Sequence, residues 1–154
     1  RNIDKSKYFL LIFGKFWSDD ALKKIGIEFK SLGFVEDRNY LNNIYCSSDI
    51  FLFPSKQEAF GKTWAEAMIC RIPVVCFDKS CASDFIDHKV NGYIVDKIDP
   101  FKFRKGIEWI SSSFEKNNNY SDIIENKLEN LNAKNVAKQY IQLYKELIQN
   151  KKNL

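Results

Sequence analysis

The chain has 154 residues, 45% of them hydrophobic and 15% aromatic, which is the size of one domain with a single sizeable core. Its net charge of +4 rests on scattered lysines, so solvated helix faces are expected and no nucleic-acid stripe is formed. Cys46, Cys70, Cys76 and Cys81 include no CxxC pair and His88 is the only histidine, which leaves no easy zinc site and no histidine-based nucleophilic triad. Free thiols suit a reducing cytoplasm. With no leader-like segment and no apolar run near about 18 residues, the sequence reads as cytoplasmic, peripheral contact with the inner face of a membrane staying open.

In chain order, KYFLLIFG (Lys7 to Gly14) is a short apolar run closed by glycine and reads as a strand. SDDALKKIGIEFKSLG follows, with Ser18 or Asp19 as cap and Ala21, Leu22, Ile25, Phe29 and Leu32 at helical spacing, which predicts a helix. After Phe34-Val35 and an acidic turn, RNYLNNIYCSS places Leu41, Ile44 and Tyr45 on one face, and DIFLFPS gives a strand over 50–53 ended by Pro54. TWAEAMIC reads as a helix, IPVVCFD as a strand, SDFIDHK as a short helix and NGYIV as a turn with a strand.

Asp99-Pro100 supplies an N-cap and a first-turn proline for a helix carrying Phe103, Ile107 and Ile110. SSSFEKNNNYSD reads as a polar loop, and VAKQYIQLYKELIQ sets Val136, Tyr140, Leu143, Tyr144 and Leu147 on one helical face. Short apolar strands alternating with helices predict a Rossmann-like, doubly wound α/β layer with a parallel sheet covered on both faces. Ligands of such sheets sit beyond the carboxyl ends of the strands.

The segment PSKQEAFGKTWAEAM occupies such a place, as loop 54–62 between a strand and a helix. Free N–H groups at the helix start suit an anion, and Gly61 lets backbone approach a ligand closely. Glu58 lies in the loop, and Glu66 is expected in the first helical turn, where a carboxylate can accept both hydroxyls of a vicinal diol. Taken singly, Glu66 is what the helix dipole favours and Glu58 is an ordinary loop residue. Together they suit a ligand with a polyol at each end and phosphates between, such as a nucleotide sugar. Lys62 either supplies charge to the phosphates or is a solvated surface lysine.

SDIFLFPSKQEAFGKTWAEAMICRIPVVCFD, with LGFVEDRNYLNNIYCSSD before it and FIDHKVNGYIVDKIDP after it, resembles the carboxyl-terminal domain of GT-B glycosyltransferases of family 4, the glycosyl transferases group 1. Their Glu-x7-Glu pattern matches Glu58 to Glu66, and NVAKQYIQLYKEL is similar to their closing helix. The resemblance implies a retaining, metal-independent sugar transfer without a cofactor, in which the leaving phosphate helps deprotonate the acceptor. Glu58 would touch the donor sugar as the catalytic-site carboxylate, and Glu66 would hold the ribose. Amides around Phe60, Gly61, Lys62 and Thr63 would meet the sugar and the diphosphate, with Phe34 and Val35 along the base.

The resemblance also implies that residues 1–154 form one donor-binding domain truncated on its N-terminal side. The partners would be a UDP- or GDP-sugar donor and a glycan or lipid-linked acceptor bound by an absent N-terminal domain, with no nucleic acid. Departures from the family pattern are Ala59 for glycine, Arg71 for the glycine closing the motif helix, Ser80-Cys81 for Gly-Gly, and Asp84 for glutamate. The Arg71 departure predicts an altered helix cap. A noncatalytic nucleotide- or protein-binding module on the same fold is the alternative. The absence of GxGxxG after the first strand argues against a dinucleotide oxidoreductase.

Overall fold

The computed structural model describes residues 4–15, 20, 24, 26–56, 58–114, 120–129 and 132–152. They divide into two compact units, Arg1–Asp49 and Ile50–Leu154. In the first, strand β1 (Phe9–Ile12) pairs in parallel with β2 (Glu28–Ser31), Phe9 opposite Glu28 and Ile12 opposite Ser31. The ladder continues through Leu32 N–H to Ile12 C=O at 2.8 Å and Gly14 N–H to Gly33 C=O at 2.7 Å. Here the sequence reading needs correction, because Phe29 lies in β2 and not in a helix. Gly26 is left-handed, with φ 65°, and the chain then becomes extended. Non-local pairing with β1 outweighs the helical spacing of Phe29 and Leu32. Ser18, Asp19, Ala21, Leu22 and Ile25 lie outside the described residues.

Helix α1 (Arg38–Cys46) starts where Asp37 Oδ1 accepts from Tyr40 N–H at 2.8 Å. It buries Ile44 and Tyr45 on the expected face, and Tyr45 meets Phe13 edge-on with ring centroids 5.5 Å apart.

The second unit holds β3 (Phe51–Phe53), α2 (Lys62–Ile69), β4 (Val74–Phe77), β5 (Gly92–Val95), α3 (Pro100–Phe114), α4 (Tyr120–Glu129) and α5 (Ala133–Lys152). Its three strands are parallel in the order β3-β4-β5, with Phe51 opposite Val74 and Val74 opposite Gly92. The parallel α/β layers of the sequence reading are therefore present, with the described strands in two ladders instead of one. Every residue of β4 is buried, as a central strand requires. Val75 and Phe77 join Val95, Ile110, Phe103 and Ile107 in one core, while Val74 and Cys76 alternate to the opposite side. Helix α2 packs on β3 and β4 and buries Trp64, Ala67 and Met68.

Helix α3 begins as expected, with Asp99 Oδ1 accepting from Phe101 N–H at 2.8 Å. Two other expectations are corrected. Residues of SDFIDHK form no helix; successive turns with Ser83 N–H to Ser80 C=O and Phe85 N–H to Ala82 C=O run there instead. Buried Asn91 outcompetes a helix by accepting from Asp87 N–H at 2.8 Å and donating to Phe85 C=O at 3.3 Å. Gly92 follows because a β-carbon there would stand 2.5 Å from the Val74 carbonyl oxygen. Within the expected polar loop the described residues are helical: α3 runs through Ser111–Ser113, and α4 starts at Tyr120 and buries Ile124. Helix α5 forms as the amphipathic pattern predicts, and Tyr140, Leu143, Tyr144 and Leu147 are exposed on it.

Candidate functional site

The loop after β3 carries most of the residues singled out in the sequence. Ser55 Oγ donates to Glu58 Oε2 at 3.4 Å, and Glu58 is exposed. Gly61 is left-handed, with φ 65°, and a β-carbon on it would stand 2.8 Å from both Glu58 Cγ and Phe53 Cζ. Only glycine satisfies both the torsion and the space. It is also the N-cap of α2 and offers no side-chain cap. The first N–H groups of the helix thus have no intrahelical partner and no cap from the N-cap side chain, and no acidic side chain lies in the first turn.

Lys62 opens the helix exposed and Thr63 is half-buried. Glu66 is half-buried at the fifth helical residue, one position past the first turn in which the sequence placed it, because α2 starts already at Lys62. The i,i+4 spacing puts Glu66 on the same helix face as Lys62. At the other end, Arg71 does not alter the cap. Arg71 N–H bonds to Met68 C=O at 2.8 Å and Ile72 N–H to Ala67 C=O at 3.1 Å, the hydrogen bonds of a Schellman cap, with Arg71 held at φ 63°.

Phe60, Gly61, Lys62 and Thr63 are gathered with Glu58 at this junction of loop and helix. Phe34 and Val35 lie in the first unit, just after left-handed Gly33, and Phe34 is 65% exposed.

Two side chains that the sequence marks only as packing, Trp64 and Cys81, reach the loop. The Phe60 carbonyl accepts from Trp64 Nε1 at 2.5 Å and from Cys81 Sγ at 2.6 Å. Trp64 is fully buried and stacks on Phe85, with centroids 4.8 Å apart, and Phe60 leans on both rings. Nothing in the spacing of Cys81 and Phe60 announces this contact; the only sign is that Ser80-Cys81 departs from the Gly-Gly of the resemblance.

Burial pushes the Cys76 thiol up to about 11. His88 Nδ1 accepts from Ile94 N–H at 3.1 Å, and its ring lies against Tyr93. Partial burial, then the charge of Lys89, lowers its pKa. A cleft of about 470 Å³ opens between Asp78, His88, Tyr93, Asp96, Lys102 and Lys105, with Lys102 Nζ 2.7 Å from Asp96 Oδ2. None of the sequence candidates lines it. Among the described residues no group of three or more His, Cys, Asp or Glu could hold a metal, and no helix is long and apolar enough to cross a membrane.

A parallel α/β layer with a glycine-opened loop feeding a helix start at its carboxyl edge defines a Rossmann-like fold. The chain belongs to the glycosyl transferases group 1 family, whose model matches residues 2–127. It is 30% identical over 134 residues to an uncharacterized glycosyltransferase of Methanocaldococcus jannaschii, covering 82% of this chain and 33% of that protein. Among solved structures it resembles the sucrose-phosphate synthase of Thermosynechococcus elongatus (TM-score 0.70, 22% identity, 85% of this chain and 33% of that one). It also resembles Anabaena HepE in complex with UDP-glucose (TM-score 0.59, 23% identity, 94% of this chain and 40% of that one). The chain therefore spans a third of the curated relative's length and between a third and two fifths of these structures.

Proposed function

We propose that residues 1–154 act as the donor-binding domain of a retaining glycosyltransferase that takes its sugar from a UDP- or GDP-sugar. The observation that carries this reading is the junction at 58–66. There a loop carboxylate, Glu58, stands beside the uncapped start of α2, and a second carboxylate, Glu66, lies one turn further along the helix. Uncapped N–H groups and the positive helix end suit a diphosphate, aided by Lys62 and the amides of Phe60, Gly61 and Thr63. Glu66 receives the ribose diol and Glu58 the hydroxyls of the transferred sugar. The UDP-glucose complex of Anabaena HepE supports this class of donor.

In the reaction, the bond from the anomeric carbon to the phosphate oxygen breaks while the acceptor oxygen bonds to that carbon from the same face. The acceptor hydroxyl's proton leaves with the nucleoside diphosphate. Helix amides and lysine charge stabilise the departing diphosphate without a metal. The acceptor, a glycan or lipid-linked sugar, is assigned to an N-terminal domain outside these 154 residues, and the site of action to the cytoplasm.

Calorimetric titration with UDP, GDP, UDP-glucose and GDP-mannose tests the reading. Saturable binding of one nucleotide series is expected; heats no larger than dilution for all four would overturn it.

A further inference from the structure

The Phe60–Gly61 peptide is held from one side only. Its carbonyl accepts from the indole N–H of Trp64 and the thiol of Cys81, one on α2 and the other on the turn after β4. Trp64 is fully buried, and its stacking on Phe85 fixes where the indole points. No described peptide bond is cis, and a trans peptide directs its N–H opposite to its C=O. The Gly61 N–H is therefore turned away from Trp64 and Cys81. Glycine flips its peptide easily, and the flipped state would present a carbonyl oxygen where an anion needs a donor.

We infer that Trp64 and Cys81 are positioning residues that clamp the Phe60 carbonyl and so keep the Gly61 N–H available to the diphosphate or sugar of the donor. The inference rests on the donor-binding reading and assigns to this chain two side chains that the Glu-x7-Glu pattern does not contain. Cys81 acts here as a hydrogen-bond donor and performs no covalent chemistry.

The test follows the Gly61 amide by ¹⁵N–¹H spectroscopy while UDP, and separately inorganic pyrophosphate, is titrated into the wild-type chain, Cys81→Ala, Cys81→Ser and Trp64→Phe. In the wild type the Gly61 resonance should move with saturation. Cys81→Ala and Trp64→Phe should bind UDP at least threefold more weakly, with a smaller Gly61 response. Cys81→Ser, which still donates, should stay within twofold of wild type. A purely packing role for Cys81 would not give rescue by serine together with a response localised at Gly61. If Trp64→Phe fails to fold, the Cys81 pair decides. Wild-type binding with unchanged affinity and unchanged Gly61 shifts in folded Cys81→Ala overturns the clamp alone, as does failure of serine to rescue. If the wild type binds neither UDP nor pyrophosphate, the same titration is made with GDP, and absence of binding of all three overturns the donor reading and the clamp with it.

Discussion

Phe53, the last residue of β3, lies so close to Gly61 that a β-carbon at position 61 would stand 2.8 Å from its ring. The strand end and the helix start are thus in direct contact. Gly61→Ala combines a left-handed torsion with overpacking against a buried ring. It should destabilise by about 2–4 kcal/mol. Urea unfolding reads the loss, and a midpoint equal to wild type would contradict this packing.

The two glutamates should separate by ligand. Glu66→Ala removes charge-assisted hydrogen bonds to the ribose and should weaken UDP or GDP by about 1.5–3 kcal/mol, roughly tenfold to a hundredfold in Kd. Glu58→Gln should leave nucleoside diphosphate affinity within twofold and lower that of the sugar-bearing donor. Calorimetry with both ligand forms checks the division; equal loss of diphosphate binding in the two variants would contradict it.

Arg71 completes a Schellman cap in a torsion that glycine adopts freely, and its guanidinium meets Glu125 at 2.9 Å in an exposed ion pair. The torsional cost exceeds the value of such a pair, which is about 0–1 kcal/mol. Arg71→Gly should therefore raise stability by about 0.5–1 kcal/mol, because relief of the left-handed strain outweighs the lost pair and the added chain entropy. Thermal unfolding measures it, and a fall in Tm would show that the Arg71–Glu125 contact is the larger effect.

His88 closes the free edge of β5 by accepting from Ile94 N–H while Gly92 C=O accepts from Lys89 N–H at 2.8 Å. Its folded pKa is lowered by burial and then by Lys89, so as pH falls below about 6.5 the unfolded chain takes the proton first. The contribution of His88 is fully present above that pH and is lost as pH falls through the window below it. As the only histidine, it should dominate the rise of the urea midpoint between pH 5 and 7. His88→Asn should flatten that slope; an unchanged slope would assign it to other groups.

Much of this was legible because it depends on local chemistry. Asp99-Pro100 marks a helix start, and the loop-to-helix junction at Pro54–Thr63 was readable from Pro54, Gly61 and the apolar runs on both sides. What escaped depends on contacts across the chain. Phe29 is drawn into a strand by β1, the segment before Asn91 is held in turns by that buried side chain, and α4 has too many polar residues for its single fully buried isoleucine to show. Glu66 fell one residue past its expected first turn because the helix start rests on a glycine N-cap, which carries no side-chain capping signal. The clamp of Trp64 and Cys81 on Phe60 joins residues 21 positions apart, out of reach of any spacing pattern.

The most direct measurement is a crystal structure of the chain grown with the nucleotide sugar that binds it in calorimetry. Density for the diphosphate at the start of α2, with the ribose against Glu66 and the sugar against Glu58, is the predicted result. Nucleotide density seated instead in the cleft of Asp78, His88, Lys102 and Lys105, with the α2 start empty, would contradict it.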